Sequence, residues 1–205
     1  MVEKTTDNIF KILKLYTSNY SAQYHVREIA KLLNKSHVTL LPHIESLKKE
    51  NIVITQNVGK NKMVALNLDN ILTKDYLTTS EIIEKIKYLD EVYIIKKMVS
   101  EIHKLNIKGT LVLFGSYSKR TFKEDSDIDI LQIGKIATKD IDKIKKIGKI
   151  YGKDINIKNS TEENFEKGLR TKDALVMEIL KNHIILQNPE FFIDALWRYF
   201  NETRL

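Results

Sequence analysis

Two apolar runs that flank a Gly-Ser pair and an Asp-Ile-Asp alternation constrain the fold of this chain more than any other feature. The stretch reads LFGSYSKRTFKEDSDIDILQI, from Leu113 to Ile133. In a strand, Asp127 and Asp129 lie on one face and the intervening isoleucines lie on the other. We therefore expect a strand that buries one face and presents two carboxylates on the other. Because neighbouring carboxylates repel each other, the pattern also predicts a positive group between them.

The composition favours a globular protein with a polyanionic partner. The chain has 205 residues, is 42% hydrophobic and carries a net charge of +7, which is enough for one large or two small domains and favours nucleic acid or nucleotide binding. The apolar runs are too short to cross a membrane and the N-terminus lacks signal-peptide features, so we expect a cytoplasmic protein. It has no cysteine, which excludes disulfides and thiolate zinc sites. Its five histidines are scattered without the spacing of a metal cluster, so we expect oxygen ligands for any metal ion.

Hydrophobic spacing in the first part of the chain predicts helix, helix, tight turn, helix and hairpin. The predicted elements are a helix over 7–16, a helix over about 26–33, a third helix capped by Ser36, and strands over 52–56 and 63–68. Pro42 interrupts the third helix and predicts a kink. The polar side chains of that helix and the lysines near the hairpin turn are expected to face solvent.

This order resembles the winged helix-turn-helix family, and the phrase REIAKLLNKSHVTLLPHIESLKKENIV carries the resemblance. In that family the third helix enters the major groove and the wing contacts the phosphate backbone. The DNA-binding residues that the resemblance implies are Ser36, His37, Thr39, His43, Lys48, Lys60 and Lys62. Winged helices also serve as dimerisation or protein-docking modules, and in that case the lysines are only a solvated face.

The remainder of the chain is predicted to form a helical segment followed by a small mixed sheet. Apolar residues repeat every three or four positions over about 80–105, as one long helix or two. We place the domain boundary near residue 75, with domains at 1–74 and 75–205. The predicted class is therefore α/β (α+β), with an N-terminal winged helix-turn-helix joined by the helical segment to a mixed-sheet domain.

The Gly-Ser pair and three aspartates have the chemistry of a nucleotide site. Gly115 lets the backbone approach a phosphate closely, and the Ser116 hydroxyl can donate to its oxygens. Asp127 and Asp129 share one strand face, and Asp154 lies in another alternating run. Three converging carboxylates would hold two divalent ions that activate a hydroxyl and stabilise a pyrophosphate leaving group.

These residues resemble the minimal nucleotidyltransferase branch of the DNA polymerase beta superfamily. The resemblance rests on Gly115-Ser116, the Asp127-Ile128-Asp129 run and Asp154, in the phrase FGSYSKRTFKEDSDIDI and its downstream strand. The phrase KNHIILQNPEFF also resembles the closing strand and helix of these proteins. The similarity covers about residues 105–192.

The resemblance implies a role for each matching residue. Gly115, Ser116 and Lys119 would bind the triphosphate of ATP or another nucleoside triphosphate. Asp127, Asp129 and Asp154 would be catalytic and would ligate two Mg²⁺ ions, for which Mn²⁺ can substitute, and Asp154 would help to deprotonate the acceptor. Two positions depart from the family pattern, with Arg120 in place of glycine and Ser118 in place of alanine.

Two functions from different classes follow from these observations. The first is an enzyme that transfers a nucleoside monophosphate, AMP from ATP, to a hydroxyl acceptor such as a tyrosine of a toxin partner, a small molecule or an RNA end. The second is a DNA-binding transcriptional regulator whose nucleotidyltransferase domain only senses nucleotide. The small size of the catalytic module favours a partner protein or a dimer, with no membrane involvement.

Overall fold

Two compact units, each with its own sheet, make up the chain in the computed structural model, which describes residues 2–59 and 61–204. The first unit comprises Met1–Glu81 and Leu196–Leu205, and the second comprises Ile82–Ala195. The described residues form ten helices and two sheets, so the architecture is mixed α/β, as the sequence predicts. The domain limits 1–74 and 75–205 stay a prediction.

The first unit combines three helices with a three-stranded antiparallel sheet. Its elements are α1 (Val2–Lys14), β1 (Gln23–His25), α2 (Val26–Leu32), α3 (His37–Lys49), β2 (Val53–Val58) and β3 (Asn61–Leu66). The strands lie in the order β1-β3-β2. Ser36 caps α3 by accepting a hydrogen bond from the Thr39 amide, and the helix continues through Pro42.

The predicted three helices and hairpin are therefore present in the first unit, together with a strand that the sequence did not reveal. Strand β1 has only three residues and pairs with β3 from Gln23 opposite Ala65 to His25 opposite Met63. Three residues are too few to show an alternation in sequence. The assignment of this unit as a winged helix-turn-helix stays a prediction.

The helical segment is two helices, and it begins earlier than expected. Helix α4 (Ile71–Glu91) starts where the Asn70 side chain accepts a hydrogen bond from the Leu72 amide, and α5 (Tyr93–Lys104) follows after a single non-helical residue, Val92. The residues just before position 80 are already helical, and the Thr78 hydroxyl donates back to the Lys74 carbonyl within α4. The start predicted at about residue 80 is therefore wrong.

The second unit is built on a four-stranded mixed sheet. Its remaining elements are β4 (Thr110–Phe114), α6 (Gly115–Ser118), β5 (Ile128–Ile133), α7 (Thr138–Ile150), β6 (Ile155–Ser160), α8 (Glu162–Arg170), α9 (Ala174–Lys181), β7 (Ile184–Gln187) and α10 (Pro189–Glu202), the last of which extends into the residues of the first unit. The strand order is β6-β5-β4-β7. Strands β5 and β6 are parallel, with α7 as their crossover, and the other pairs are antiparallel.

Both faces of this sheet are covered. On one face, buried Ile128, Ile130 and Ile155 pack in a core with residues of α5 and α7. On the opposite face, Leu131 lies with Phe165 and neighbouring apolar residues of α9 around an open cavity of about 370 Å³. In the described part of the chain, none of the helices has the length and apolarity needed to cross a membrane.

The crossover helix packs so closely on β6 that a glycine is required at the contact. A Cβ at Gly148 would lie 2.7 Å from both the Ile155 side chain and the Lys153 carbonyl oxygen, whereas the nearest atom to a Cβ at Gly168 of α8 would belong to the Val176 side chain, at 2.8 Å. We expect Gly148→Ala to be less stable than Gly168→Ala by about 1–2 kcal/mol, because backbone yields less than a side chain. Both variants gain similar helix propensity. Urea unfolding measures the difference, and equal stabilities would contradict this packing.

Candidate functional site

The turn between β4 and α6 places a glycine directly against one of the motif aspartates. Gly115 opens α6 with φ +72°, a backbone conformation that favours glycine. A Cβ at this position would overlap the Asp129 carboxylate oxygen Oδ2. Gly115 and its neighbour Ser116 are both partly exposed. The turn therefore offers accessible backbone beside a carboxylate, in the place where the sequence predicts phosphate binding.

Hydrogen bonds from two hydroxyl groups hold α6 in this position. The Ser118 hydroxyl, which is buried, is 3.0 Å from the carbonyl oxygens of both Gly115 and Asn182. The Tyr88 hydroxyl donates to the Tyr117 carbonyl at 3.0 Å, and the Tyr117 ring stacks on Phe122 with centroids 4.2 Å apart. The Ser118 hydroxyl thus ties the turn to the end of α9.

An amide from β6 lies between the two aspartates. Strand pairing places Asp129 opposite Asn156, and the Asn156 amide nitrogen is 3.1 Å from Asp127 Oδ2 and 3.5 Å from Asp129 Oδ1. These three side chains share one face of the sheet, as the alternation of β5 predicts. The group between the carboxylates is therefore a neutral amide that donates hydrogen bonds, in place of the expected positive charge.

The backbone of Asp154 lies next to the start of β5, but its carboxylate pairs with a lysine of α7. It directly precedes β6, and its carbonyl accepts a hydrogen bond from the Ile128 amide at 2.9 Å. Its side chain is 58% exposed and forms an ion pair with Lys149. Among residues 2–59 and 61–204, no three His, Cys, Asp or Glu side chains are grouped to hold a metal ion. The role of Asp154 as third ligand stays a prediction.

Burial and neighbouring charges act on Asp129 in opposite directions. Partial burial raises the pKa of the Asp129 carboxyl above its ordinary value, and the charges of Asp127 and Glu178 raise it further. The hydrogen bond from Asn156 and the charge of Lys158 lower it. The net direction of the pKa shift is upward, so the folded protein holds the charged form of Asp129 at some cost.

Two basic side chains near the turn are engaged in ion pairs. Lys119, which was predicted to contact phosphate, donates to Glu178 at 2.7 Å. Arg120 adopts φ +58°, which explains why glycine suits this position. Its guanidinium donates to Glu91 at 2.9 Å and to Glu84 at 3.3 Å. Arg120 is therefore directed towards α4, and Lys119 reaches a phosphate only by leaving Glu178.

The side chains present fit one oxygen-ligated divalent cation. Asp127 and Asp129 supply carboxylate oxygens on a common face, and rotation of the Asn156 amide would add a carbonyl oxygen, all of which are ligands that Mg²⁺ and Mn²⁺ accept. The overlap that a Cβ at Gly115 would create shows how closely the turn approaches this donor set.

The residues predicted to bind DNA take several structural roles in the first unit. His37 and Lys48 are exposed on α3, whereas Ser36 and Thr39 form the helix cap. The others are partnered or undescribed: the His43 ring is hydrogen-bonded to the Asn8 amide at 3.0 Å, Lys62 pairs with Glu45, and Lys60 lies outside the described residues. DNA contact by this set stays a prediction.

Sequence reasoning missed Asn156 and Glu178 as members of the site. Asn156 stands in the same alternating run as Asp154, two residues along, and the strand register places Asn156 opposite Asp129. Glu178 lies on α9, a helix that the sequence analysis did not predict, and its position next to Lys119 depends on tertiary packing.

Among comparisons with known proteins, the match to a sequence family agrees with the predicted class of the second unit. Residues 92–186 match the sequence family described as nucleotidyltransferase domain, and this segment contains the Gly115 turn, both motif aspartates and Asn156. No curated protein matches the chain. A solved structure described as "Crystal structure of the toxin-antitoxin with AMP-PNP" is similar with 17% identity and a TM-score of 0.37, over 53% of this chain and 85% of that one.

The close approach of Gly115 to Asp129 can be tested against a second glycine of the same unit. Gly152 also has positive φ, +67°, but a Cβ there would meet nothing within 4 Å. We expect Gly152→Ala to cost about 1 kcal/mol, the strain of a left-handed alanine. Gly115→Ala should cost at least twice that, because Asp129 must also move. Chemical unfolding of both variants measures this, and equal costs would mean that Asp129 does not constrain the turn.

The raised pKa of Asp129 predicts that the carboxylate destabilises the metal-free protein. A group whose folded pKa is raised binds its proton more tightly when folded, so ionisation above that pKa costs stability. We expect Asp129→Asn to raise the melting temperature in EDTA at pH 7 by roughly 1–2 °C. The gain should disappear as pH falls below the ordinary value of 3.8. Asp125→Asn, at an exposed turn, is the control, and a lower melting temperature for Asp129→Asn at pH 7 would contradict the prediction.

Proposed function

We propose that this chain is a metal-dependent nucleotidyltransferase that moves a nucleoside monophosphate, AMP from ATP, to a hydroxyl acceptor. The observation that carries the proposal is the meeting of Asp127 and Asp129 on one sheet face with a glycine turn that has no room for a side chain. The match of residues 92–186 to the nucleotidyltransferase domain family supports the same reaction class.

The reaction would be an in-line displacement at the α-phosphorus of the nucleotide. The acceptor oxygen would form a bond to that phosphorus as the bond to the β-phosphate oxygen breaks. Pyrophosphate would leave, and the proton of the acceptor hydroxyl would pass to water. A divalent cation, Mg²⁺ or Mn²⁺, would neutralise charge on the phosphates when bound. Asp127 and Asp129 would hold it, and the backbone at Gly115 and Ser116 would orient the phosphates.

Lys119 has a further role in this proposal. Its ammonium group is paired with Glu178, which lies on α9 close enough to act on Asp129. A triphosphate is a stronger acceptor of charge-assisted hydrogen bonds than a half-exposed carboxylate. Lys119 would therefore exchange Glu178 for phosphate when the nucleotide binds.

The first unit is proposed to bind DNA as a winged helix-turn-helix. The support is the order of its elements, with a capped third helix that exposes His37 and Lys48 and a hairpin next to it in the chain. A toxin-like protein is the proposed acceptor, which would make the chain an antitoxin that also binds its own promoter. A dimer of this chain is also compatible with promoter binding and a toxin-like acceptor.

A second candidate function is a transcriptional regulator that binds nucleotide without transferring it. The observation that favours it is the amide at position 156, next to Asp129, where a third carboxylate would assist catalysis. In that case ATP would change the affinity for promoter DNA, measured by fluorescence anisotropy at fixed salt, and no label would be transferred.

The experiment that tests the proposal uses α-³²P-labelled ATP and Mg²⁺ with the full chain, alone and with the protein encoded beside it. We expect wild type and Asp125→Asn to transfer label to an acceptor and Asp129→Asn to lose at least 100-fold in rate, because one of two carboxylate ligands is gone.

Equal rates for Asp129→Asn and wild type would contradict the proposed site. Calorimetric binding of α,β-methylene-ATP with Mg²⁺ gives a second readout that needs no acceptor. Nucleotide binding that depends on Asp129, without transfer to any acceptor, would favour the regulator. Neither binding nor transfer would reject both functions.

A further inference from the structure

The position beside Asp129 on the neighbouring strand holds an amide where a two-ion site needs a carboxylate. Parallel pairing sets Asp129 opposite Asn156, with Ile128 opposite Ile155 one residue earlier. The Asn156 side chain is therefore on the carboxylate face of the sheet, and its nitrogen is within 3.5 Å of both aspartates. An amide brings no charge to the site, and its oxygen is a weaker ligand for a divalent cation than a carboxylate.

Asp154 is the carboxylate closest in sequence to Asn156, and it is engaged in another contact. Asp154 forms an ion pair with Lys149, the last basic residue of α7, and its side chain is more exposed to solvent than not. Its backbone is fixed, because its carbonyl accepts the Ile128 amide at the start of β5. Asp154 would have to leave Lys149 to face the pair.

A positive charge lies on the same side of the site. Lys158 follows Asn156 by two residues, so it shares the same sheet face, and its charge acts on Asp129. The β6 side of Asp129 thus carries an amide and an ammonium group. Two divalent ions about 3.5–4 Å apart need a bridging set of carboxylates to offset their repulsion, and a nearby lysine works against that.

We propose that Asp127, Asp129 and Asn156 form a centre for one divalent cation, with nucleotide phosphates completing its coordination, and that the chain holds no second ion between Asp129 and β6. This inference rests on the proposed nucleotide-binding function and concerns the number and ligands of its ions. Two carboxylates balance one divalent charge, and three would be expected for two ions.

The Asn156 amide can interact favourably with this centre both without and with a bound cation. Without a cation, its NH₂ group donates to the two carboxylates and reduces their repulsion. With a cation bound, a half-turn of the amide presents its oxygen as a third ligand. A carboxylate at this position would add to the repulsion in the first state, so asparagine stabilises the cation-free site.

Mn²⁺ electron paramagnetic resonance tests the proposal on the full chain with saturating α,β-methylene-ATP. Two Mn²⁺ ions at the spacing of a two-ion site give a spin-coupled spectrum, and a single ion gives six lines. We expect one bound Mn²⁺ per chain and an uncoupled spectrum for wild type, after the signal of free nucleotide is subtracted.

Three variants separate the ligand assignments. Asn156→Asp should bind a second ion and give a coupled spectrum, because it supplies the third carboxylate. Asn156→Ala should keep one ion with about tenfold weaker affinity, because one oxygen ligand is lost. Asp154→Asn should match wild type. Circular dichroism and the melting temperature of each variant in EDTA confirm folding before metal is added.

Two results would overturn the inference while leaving the proposed function intact. The first is a coupled pair in wild type that Asp154→Asn abolishes, which would make Asp154 the third ligand. The second is a folded Asn156→Asp variant that still binds one ion, which would move Asn156 out of the ligand position. If wild type binds neither Mn²⁺ nor nucleotide, the proposed function fails and the inference fails with it.

Discussion

The parallel pairing of β5 with β6 is the constraint on which the site depends. It aligns Asp129 with Asn156 and ties the start of both strands through the Ile128 to Asp154 hydrogen bond. Parallel strands need a crossover, and α7 provides it with Gly148 at its contact with β6. A shift of one residue in this register would turn Asn156 to the opposite face and bring Ile155 beside the carboxylates. The packing of a helix therefore decides which polar side chain meets the aspartates.

The site depends, secondly, on the absence of a side chain at Gly115. The turn lies against the Asp129 carboxylate because there is no Cβ to separate them, and hydrogen bonds from Ser118 and Tyr88 keep it there. Charged side chains of both signs act on Asp129 beside this turn. Glu178 raises and Lys158 lowers the pKa of Asp129. The pKa of this carboxyl therefore depends on neighbouring charges as well as on its own burial.

The sequence predicted the parts of the site that are local in the chain and missed those that depend on tertiary structure. The Gly115 turn and the alternation of Asp127 and Asp129 follow from short-range geometry, and both appear as expected. The identity of the residue opposite Asp129 depends on the register between β5 and β6, which spacing alone does not reveal, so Asn156 was not predicted. The helices α7, α8 and α9 were not predicted, and the sequence left open whether the segment broken at Val92 is one helix or two. In the first unit, the helices and hairpin were predictable from hydrophobic spacing, whereas β1 is too short.

Asn156 also limits which acceptors suit the proposed transfer. An amide side chain does not take up a proton under ordinary conditions, so a hydroxyl that approaches from the β6 side meets no base at position 156. Lys158, on the same face, favours a negatively charged oxygen there. A phenol ionises near pH 10, far more readily than an aliphatic alcohol. The acidity of the acceptor, more than its shape, would then select a tyrosine over a sugar hydroxyl.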